Sequence, residues 1–276
     1  MGVLRVEGAR LYFQVAGAGE PLVLLHGLGA SSADWENQVP EFARHFHVIV
    51  PDFRGHGASD RTGEYGVERF ATDTWQLLDR LKIRSATLLG HSMGGAVAMQ
   101  MALDRPGCVP RLVLANTLPS FRTDTAGKHL MLWTRLLLMS LLGPRRLSEI
   151  MTRRLYPRPD QATLRAKVAR RNAHNDKNVY LATIRALTQW SVREHLASFT
   201  MPVLVLASEH DYFGGAEVLP FTSALPNAQL QRFPGARHGL PLEMPEAFNR
   251  AVLEFLAPRP GLGPVAASVP AAVPGS

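Results

Sequence analysis

The sequence has a single cysteine and no apolar run long enough to cross a membrane, and both features narrow the class of protein. Cys108 is the only cysteine among 276 residues, so the chain can form no internal disulfide and no cysteine metal cluster. The most apolar run, residues 130–142, is too short to span a bilayer and contains Arg135. The first residues lack the apolar core of a secretory signal. We therefore expect a cytoplasmic protein without an integral membrane segment.

Positive charge is concentrated in one segment of the chain. The formal net charge is +7, and residues 144–171 contain nine Lys or Arg against Glu149 and Asp160, which accounts for the whole excess. Aromatic residues do not alternate with these arginines as a base-stacking surface requires, so we do not expect a nucleic-acid partner. The segment is either a solvated helical surface or a basic rim that attracts anionic substrates or an acidic surface.

Short apolar runs alternate with helical patterns along most of the chain. Runs without polar alternation are typical of strands that are buried on both faces of a parallel sheet. Their alternation with helices predicts a mostly parallel, doubly wound α/β sheet with helices on both faces. A hairpin over residues 4–15 precedes these runs. The predicted buried strands are 21–25, 47–50, 86–89, 112–115, 203–207 and 230–233.

One interval interrupts this alternation. Residues 118–200, which follow the sixth strand, show helical patterns and no convincing strand. We interpret them as a helical cap, inserted at the sheet edge where α/β proteins bind ligands. Residues 1–117 and 201–257 then form the core, and the Pro-, Ala- and Gly-rich residues 258–276 are predicted to be a disordered tail.

The most specific motif is G-x-S-x-G, formed by residues 90–94 with Ser92 at its centre. It directly follows an apolar strand and precedes a helix of small residues, which is the context of a nucleophile elbow. A sharp strand-to-helix turn needs small neighbours, and Gly90 and Gly94 satisfy that need. The alternative is a glycine-rich turn with an incidental serine. We predict that Ser92 is a nucleophile.

A serine nucleophile needs a base, which a third group orients. Asp211 follows the strand at 203–207, and His238 lies on a glycine-flanked loop after the last strand, in the order typical of this architecture. Glu209 is a rival acid because it is closer to the strand end. Asn116, after the preceding strand, cannot carry the charge. His45 and His47 form an H-x-H pair but lack the downstream partner pattern of a metal site. We expect no metal and no cofactor.

Backbone amides complete the predicted site. The turn at residues 25–29 has glycines on both sides of Leu28, which allows a close approach to the nucleophile. We expect the N–H groups of Leu28 and Met93 to form an oxyanion hole.

Residues 10–256 resemble the α/β-hydrolase superfamily. The elbow and three further stretches carry the similarity, at 26–35, 52–60 and 208–211. The resemblance is greatest to the small carboxylesterases, enol-lactonases, C–C bond hydrolases and cofactor-free haloperoxidases. It implies a mainly architectural role for the turn at 52–60. Haloalkane dehalogenases have Asp at the elbow, so Ser92 disfavours that chemistry.

The motifs predict a serine hydrolase that cleaves small to medium, largely apolar carboxylic esters. A lactonase or C–C bond hydrolase is the close alternative, and a non-catalytic ligand receptor or an electrostatic binder of acidic partners is a more distant one. We expect the apolar residues 130–139 to pack mostly against the core and neighbouring cap helices. Trp35, Trp133 and Leu137 are the predicted substrate-binding residues. The sequence does not indicate an oligomeric state.

Overall fold

The computed structural model describes residues 1–213 and 216–257, and within them eight strands form one sheet. The predicted disordered tail at 258–276 lies outside the described residues. The strands are β1 (Gly2–Val6), β2 (Ala9–Ala16), β3 (Pro21–Leu25), β4 (His47–Pro51), β5 (Thr87–His91), β6 (Leu112–Ala115), β7 (Val203–Ser208) and β8 (Ala228–Phe233). Their spatial order is β1-β2-β4-β3-β5-β6-β7-β8. The pairs β1–β2 and β2–β4 are antiparallel and all later pairs are parallel, which confirms the predicted mostly parallel sheet.

Helices cover both faces of this sheet. Successive side chains of a strand point to opposite faces, so a strand covered on both sides must be apolar throughout. In β3, Val23 and Leu25 belong to the core on one face, whereas Leu22 and Leu24 belong to the core on the other. The helices are α1 (Val39–Phe42), α2 (Val67–Arg80), α3 (Met93–Asp104), α4 (Ala126–Leu155), α5 (Ala162–Asn172), α6 (Lys177–Leu187), α7 (Val218–Ser223), α8 (Leu240–Glu243) and α9 (Pro245–Leu256).

The interval between the sixth and seventh strands is helical, as the sequence predicts. It contains α4, α5 and α6, and between residues 118 and 200 the strand-like pairing is limited to one bridge, Ser120 with Ser191. The long helix α4 bends at Gly143, whose φ of 71° interrupts the helix directly before Pro144. Among the described helices, none has both the length and the apolarity needed to cross a bilayer. The cap boundaries at 118 and 200 stay a prediction.

The apolar run in α4 is less buried than the sequence led us to expect. Leu130, Trp133, Leu137 and Leu141 lie on one face of the helix and are 69%, 68%, 56% and 73% exposed. The expectation that this run packs mostly against the core is therefore wrong. The run is apolar almost all round, so its periodicity did not determine which face would turn inward.

Candidate active site

Ser92 sits on a strained turn between β5 and α3. Its backbone angles are φ 56° and ψ −122°, a positive φ that is uncommon for a residue with a side chain. Two hydrogen bonds hold the turn to the end of β6: the Ser92 N–H donates to the Ala115 carbonyl at 2.9 Å, and the Thr117 hydroxyl donates to the Ser92 carbonyl at 2.8 Å. The strain is thus supported by the neighbouring strand, and the side chain lies at the carboxyl edge of the sheet.

The glycines of the motif are required by the packing around this turn. A Cβ on Gly90 would overlap the backbone of Gly94, and a Cβ on Gly94 would overlap the carbonyl of Leu25. Both positions therefore need glycine for close approach of backbone to backbone. The need for small neighbours that the motif predicts is thus a contact between backbones.

His238 and Asp211 meet beside the turn. The Nδ1 of His238 lies 2.9 Å from Oδ1 of Asp211, and both side chains are at least nine-tenths buried. The ring of Tyr212 packs on the imidazole with ring centroids 4.0 Å apart. Because Asp211 accepts from Nδ1, the imidazole keeps Nε2 available to exchange a proton with another group.

The rival acid Glu209 has a different environment. Its side chain is 56% exposed, and its Oε2 accepts a hydrogen bond from the Gly235 N–H at 2.7 Å. The structure therefore brings Asp211, and not Glu209, to the imidazole of His238.

Two residues that the sequence analysis did not select hold the His238 loop. The Asn116 amide donates to the His238 carbonyl at 3.0 Å and to the Ser208 hydroxyl at 2.9 Å, and its oxygen accepts from the Ser208 N–H. His91, next to Ser92, places its Nε2 2.7 Å from the same His238 carbonyl. Only their positions in the sequence point to these residues: Asn116 directly follows β6, and His91 lies inside the elbow motif.

The Gly27–Leu28 peptide is fixed from one side by His26. The His26 Nε2 accepts from the Phe53 N–H at 3.0 Å, so its Nδ1 carries the proton and donates to the Gly27 carbonyl at 2.9 Å. Since the carbonyl and the following N–H of a trans peptide point in opposite directions, this bond directs the Leu28 N–H away from His26. Burial lowers the pKa of His26 to about 4, which keeps the ring neutral near pH 7.

The amides proposed for the oxyanion hole have no competing partner. Among the described residues, neither the Leu28 N–H nor the Met93 N–H donates to a protein acceptor. Met93 is the first residue of α3, and the first N–H groups of a helix have no acceptor within the helix. Gly27 lies against the Cβ of Ser92, so the two loops are adjacent.

A cavity of about 460 Å³ opens above these groups. Ser92, His238 and Leu28 line it, together with mostly apolar side chains from α4 and α6. Trp35, which the sequence predicts to bind substrate, is also on its wall. Trp133 and Leu137 are not, because they belong to the exposed face of α4. The opposite face of α4 contributes Met131, Leu132, Arg135 and Met139.

One part of the cavity wall is polar. The Asp34 Oδ1 and the Trp35 Nε1 are both buried and have no hydrogen-bond partner among the described residues. Burial raises the pKa of Asp34 to about 6, although Arg171 at 3.6 Å favours the ionised form. These groups could bind polar atoms of a ligand. In the described part of the chain, no three His, Cys, Asp or Glu side chains are arranged to hold a metal ion.

Comparison with known proteins identifies the family. A family model for the alpha/beta hydrolase fold matches residues 20–245. A Caulobacter (strain K31) protein named RutD, described provisionally as a carbamate hydrolase, is 31% identical over 264 residues, 90% of this chain and 96% of that protein. A Mycobacterium tuberculosis relative is 42% identical over 112 residues, but the match spans only 33% of its length.

Solved structures agree with this assignment. The enol-lactonase from Burkholderia xenovorans LB400 matches with a TM-score of 0.85 and 25% identity, covering 92% of this chain and 99% of that chain. A hydrolase from Pseudomonas aeruginosa matches with a TM-score of 0.83 and 28% identity, covering 93% and 98%. The strained serine turn, the sheet order and these matches lead to one conclusion: the chain belongs to the α/β-hydrolase fold family.

Proposed function

We propose that the protein is a serine hydrolase that cleaves carboxylic esters of small to medium, largely apolar substrates through an acyl-enzyme on Ser92. The observation that carries the proposal is the His238–Asp211 pair beside a strained serine on the wall of one cavity. Membership in the α/β-hydrolase family supports a hydrolytic reaction. The ester substrate is inferred from the site.

In the proposed first step, His238 Nε2 takes the proton of the Ser92 hydroxyl while Oγ bonds to the substrate carbonyl carbon. The carbonyl π pair moves onto oxygen, and the resulting oxyanion accepts hydrogen bonds from the Leu28 and Met93 N–H groups. When the tetrahedral intermediate collapses, the alcohol leaves with the proton that His238 returns. Asp211 holds the imidazole and stabilises its cationic form.

In the second step, a water molecule replaces the alcohol. His238 takes a proton from the water, the hydroxide oxygen bonds to the acyl carbon, and Ser92 leaves as a hydroxyl with the proton returned to it. The products are a carboxylic acid and the regenerated enzyme.

The cavity supports a substrate of modest size with apolar parts. Its volume of about 460 Å³ lies within the range of small-molecule sites, and most of its wall consists of aliphatic and aromatic side chains such as Leu132, Met139 and Ile184. Trp35 remains a proposed substrate contact on that wall.

A lactonase is the second candidate, because a lactone is a cyclic ester that the same steps would open. The similarity to the enol-lactonase from Burkholderia xenovorans favours it. In this case the alcohol stays attached to the acyl group, and one hydroxy acid is released.

The test is hydrolysis of 4-nitrophenyl esters from acetate to octanoate by the purified protein and by Ser92→Ala. We expect turnover that falls on the order of 10⁴-fold or more in Ser92→Ala. Ser140→Ala, a change of the same type at an exposed serine of α4, is the matched control and should behave like the parent. Equal turnover in the parent and Ser92→Ala, or none in either, would refute the proposal.

A further inference from the structure

Arg135 is the only charged residue in the segment 130–143 of α4, and it lies on the cavity wall. Arg135 lies on the wall with Met131, Leu132 and Met139, while Leu130 and Trp133 face outward. A surface helix normally keeps its charges in water, whereas here the one charge lies on the inward face and large apolar side chains are exposed. Departures from this pattern are expected at functional sites.

Neutral groups surround the guanidinium of Arg135. Its Nε donates to the Tyr180 hydroxyl at 2.6 Å, and its charge lies 5.7 Å from the centroid of the Tyr180 ring. The Tyr212 side chain lies on the same cavity wall. No carboxylate within the described ranges forms an ion pair with Arg135.

Other cations near the cavity are neutralised by the protein. Lys128 pairs with Asp124 at 3.0 Å and with Glu217 at 2.9 Å, and Arg171 pairs with Glu36 at 2.6 Å. Arg135 differs from them because its charge has no counterion among the residues that the structure describes.

An arginine has five N–H donors and stays charged, and among the described residues only the Nε–H of Arg135 donates to a protein acceptor, the Tyr180 hydroxyl. A partly buried charge that faces an apolar cavity is stabilised when a ligand supplies both an anion and acceptors. A carboxylate does both, since its two oxygens match the fork of the guanidinium.

Arg135 also shares a cavity with the reacting groups. Arg135 and His238 both line the cavity of about 460 Å³. The Tyr212 ring lies on the same wall and packs on His238 with ring centroids 4.0 Å apart. A small substrate in this cavity can contact both the cation and the imidazole.

We propose that Arg135 binds a carboxylate of the substrate, and that the preferred substrates are esters or lactones carrying a carboxylate in addition to the bond that is cleaved. This inference rests on the proposed hydrolysis at Ser92. It adds a charged recognition element to a site that is otherwise largely apolar.

The test compares matched acids and neutral esters. One pair is 4-acetoxybenzoate and methyl 4-acetoxybenzoate, with the carboxylate on the alcohol side. The other is mono-4-nitrophenyl adipate and methyl 4-nitrophenyl adipate, with the carboxylate on the acyl side. The measured quantity is the ratio of kcat/KM for the acid to that for its neutral partner. We expect a ratio of about 10 to 100 in at least one pair, the size of a charge-assisted hydrogen bond.

Substitutions assign that preference to one side chain. Arg135→Met should bring the ratio to about 1, and Arg135→Lys should retain part of it, because lysine keeps the charge without the planar fork. Arg145→Met on the same helix is the control, since Arg145 is 83% exposed at its side chain. It should keep the parental ratio.

The failures of the two proposals are distinguishable. Ser92-dependent turnover with a ratio near 1 in both pairs, or an equal loss of the ratio in Arg135→Met and Arg145→Met, would overturn the role of Arg135 and leave the hydrolase proposal intact.

Binding to Ser92→Ala, measured by calorimetry, gives a readout without turnover. There the acid of at least one pair should bind about tenfold or more tightly than its neutral partner, and Arg135→Met in that background should abolish the difference. Equal binding of acid and neutral partner in both pairs would overturn the inference.

Discussion

The side-chain amide of Asn116 donates to the backbone carbonyl of His238 at 3.0 Å. Asn116 follows β6 with a φ of 46°, and it also bonds both to the Ser208 hydroxyl and to the Ser208 N–H at the end of β7. One side chain thus connects the ends of two strands to the loop that carries the imidazole. We infer that Asn116 is a positioning residue.

Replacing Asn116 by alanine should lower kcat about 10- to 100-fold with a smaller change in KM. The amide keeps the His238 loop in place, and small displacements of a reacting group cost rate at this scale. The side chain is not on the cavity wall, so substrate binding should change less. Steady-state kinetics with a 4-nitrophenyl ester checks this split. A lower melting temperature with an unchanged kcat would show that Asn116 only stabilises the fold.

Asp211→Asn should reduce kcat on the order of 10⁴-fold, because the amide cannot stabilise the imidazolium and can hold the wrong tautomer. Glu209→Gln is the matched control, since Glu209 is exposed and bonds to the Gly235 N–H instead. It should retain kcat within about threefold of the parent. A greater loss of kcat in Glu209→Gln than in Asp211→Asn would show that Glu209, and not Asp211, is the acid.

Adjacent residues on α4 should have different effects on substrate binding. Leu132→Ala removes part of the cavity wall and should raise KM for longer-chain esters about three- to tenfold. Trp133→Ala changes an outward-facing side chain that is 68% exposed, and it should leave KM within about twofold. A series of acyl chain lengths for both variants measures the contrast. A larger effect of Trp133→Ala would restore the original prediction that Trp133 binds substrate.

The free energy of unfolding should fall as the pH is lowered from 6.5 toward 5. Burial lowers the pKa of His26 to about 4 and that of His56 to about 3, whereas an exposed histidine has a value of 6.5. His91 behaves in the same way, because burial lowers its pKa to about 3. In this window the unfolded chain takes up three protons that the folded chain does not, so stability present above pH 6.5 is lost on acidification. Each histidine contributes at most about 1.4 kcal/mol per pH unit.

Asp34 opposes this trend. Burial raises the pKa of Asp34 to about 6. Between about pH 6 and pH 4 the carboxyl is therefore protonated in the folded state and ionised in the unfolded state, so acidification in this range stabilises the fold. The free energy of unfolding, measured with urea at pH 5, 6 and 7, should therefore depend less steeply on pH in His56→Asn and more steeply in Asp34→Asn than in the parent. Parallel curves for all three proteins would contradict the assignment of these groups.

Most of the sheet was predictable from the sequence because each buried strand is encoded locally. The runs at 21–25 and 112–115 match β3 and β6 at both ends, since a strand covered on both faces needs continuous apolar residues. The elbow was predictable for a similar reason, because Gly90 and Gly94 are demanded by the turn itself.

Features that depend on tertiary contacts were not predictable. The faces of α4 could not be assigned because residues 130–142 are apolar on almost every side, and the inward face is selected by the cavity. From the sequence, Asn116 could only be excluded as the acid, because its hydrogen bonds depend on β7 and on a loop 122 residues away. The same is true of the pairing of His26 with the Phe53 N–H.

The most direct test is covalent labelling by a fluorophosphonate, followed by peptide mapping. A serine activated by His238 should be labelled rapidly at Ser92, with one adduct per chain. His238→Gln should slow labelling on the order of 10³-fold or more. Labelling at another residue, or an equal rate in His238→Gln, would contradict the claim that Ser92 and His238 act together.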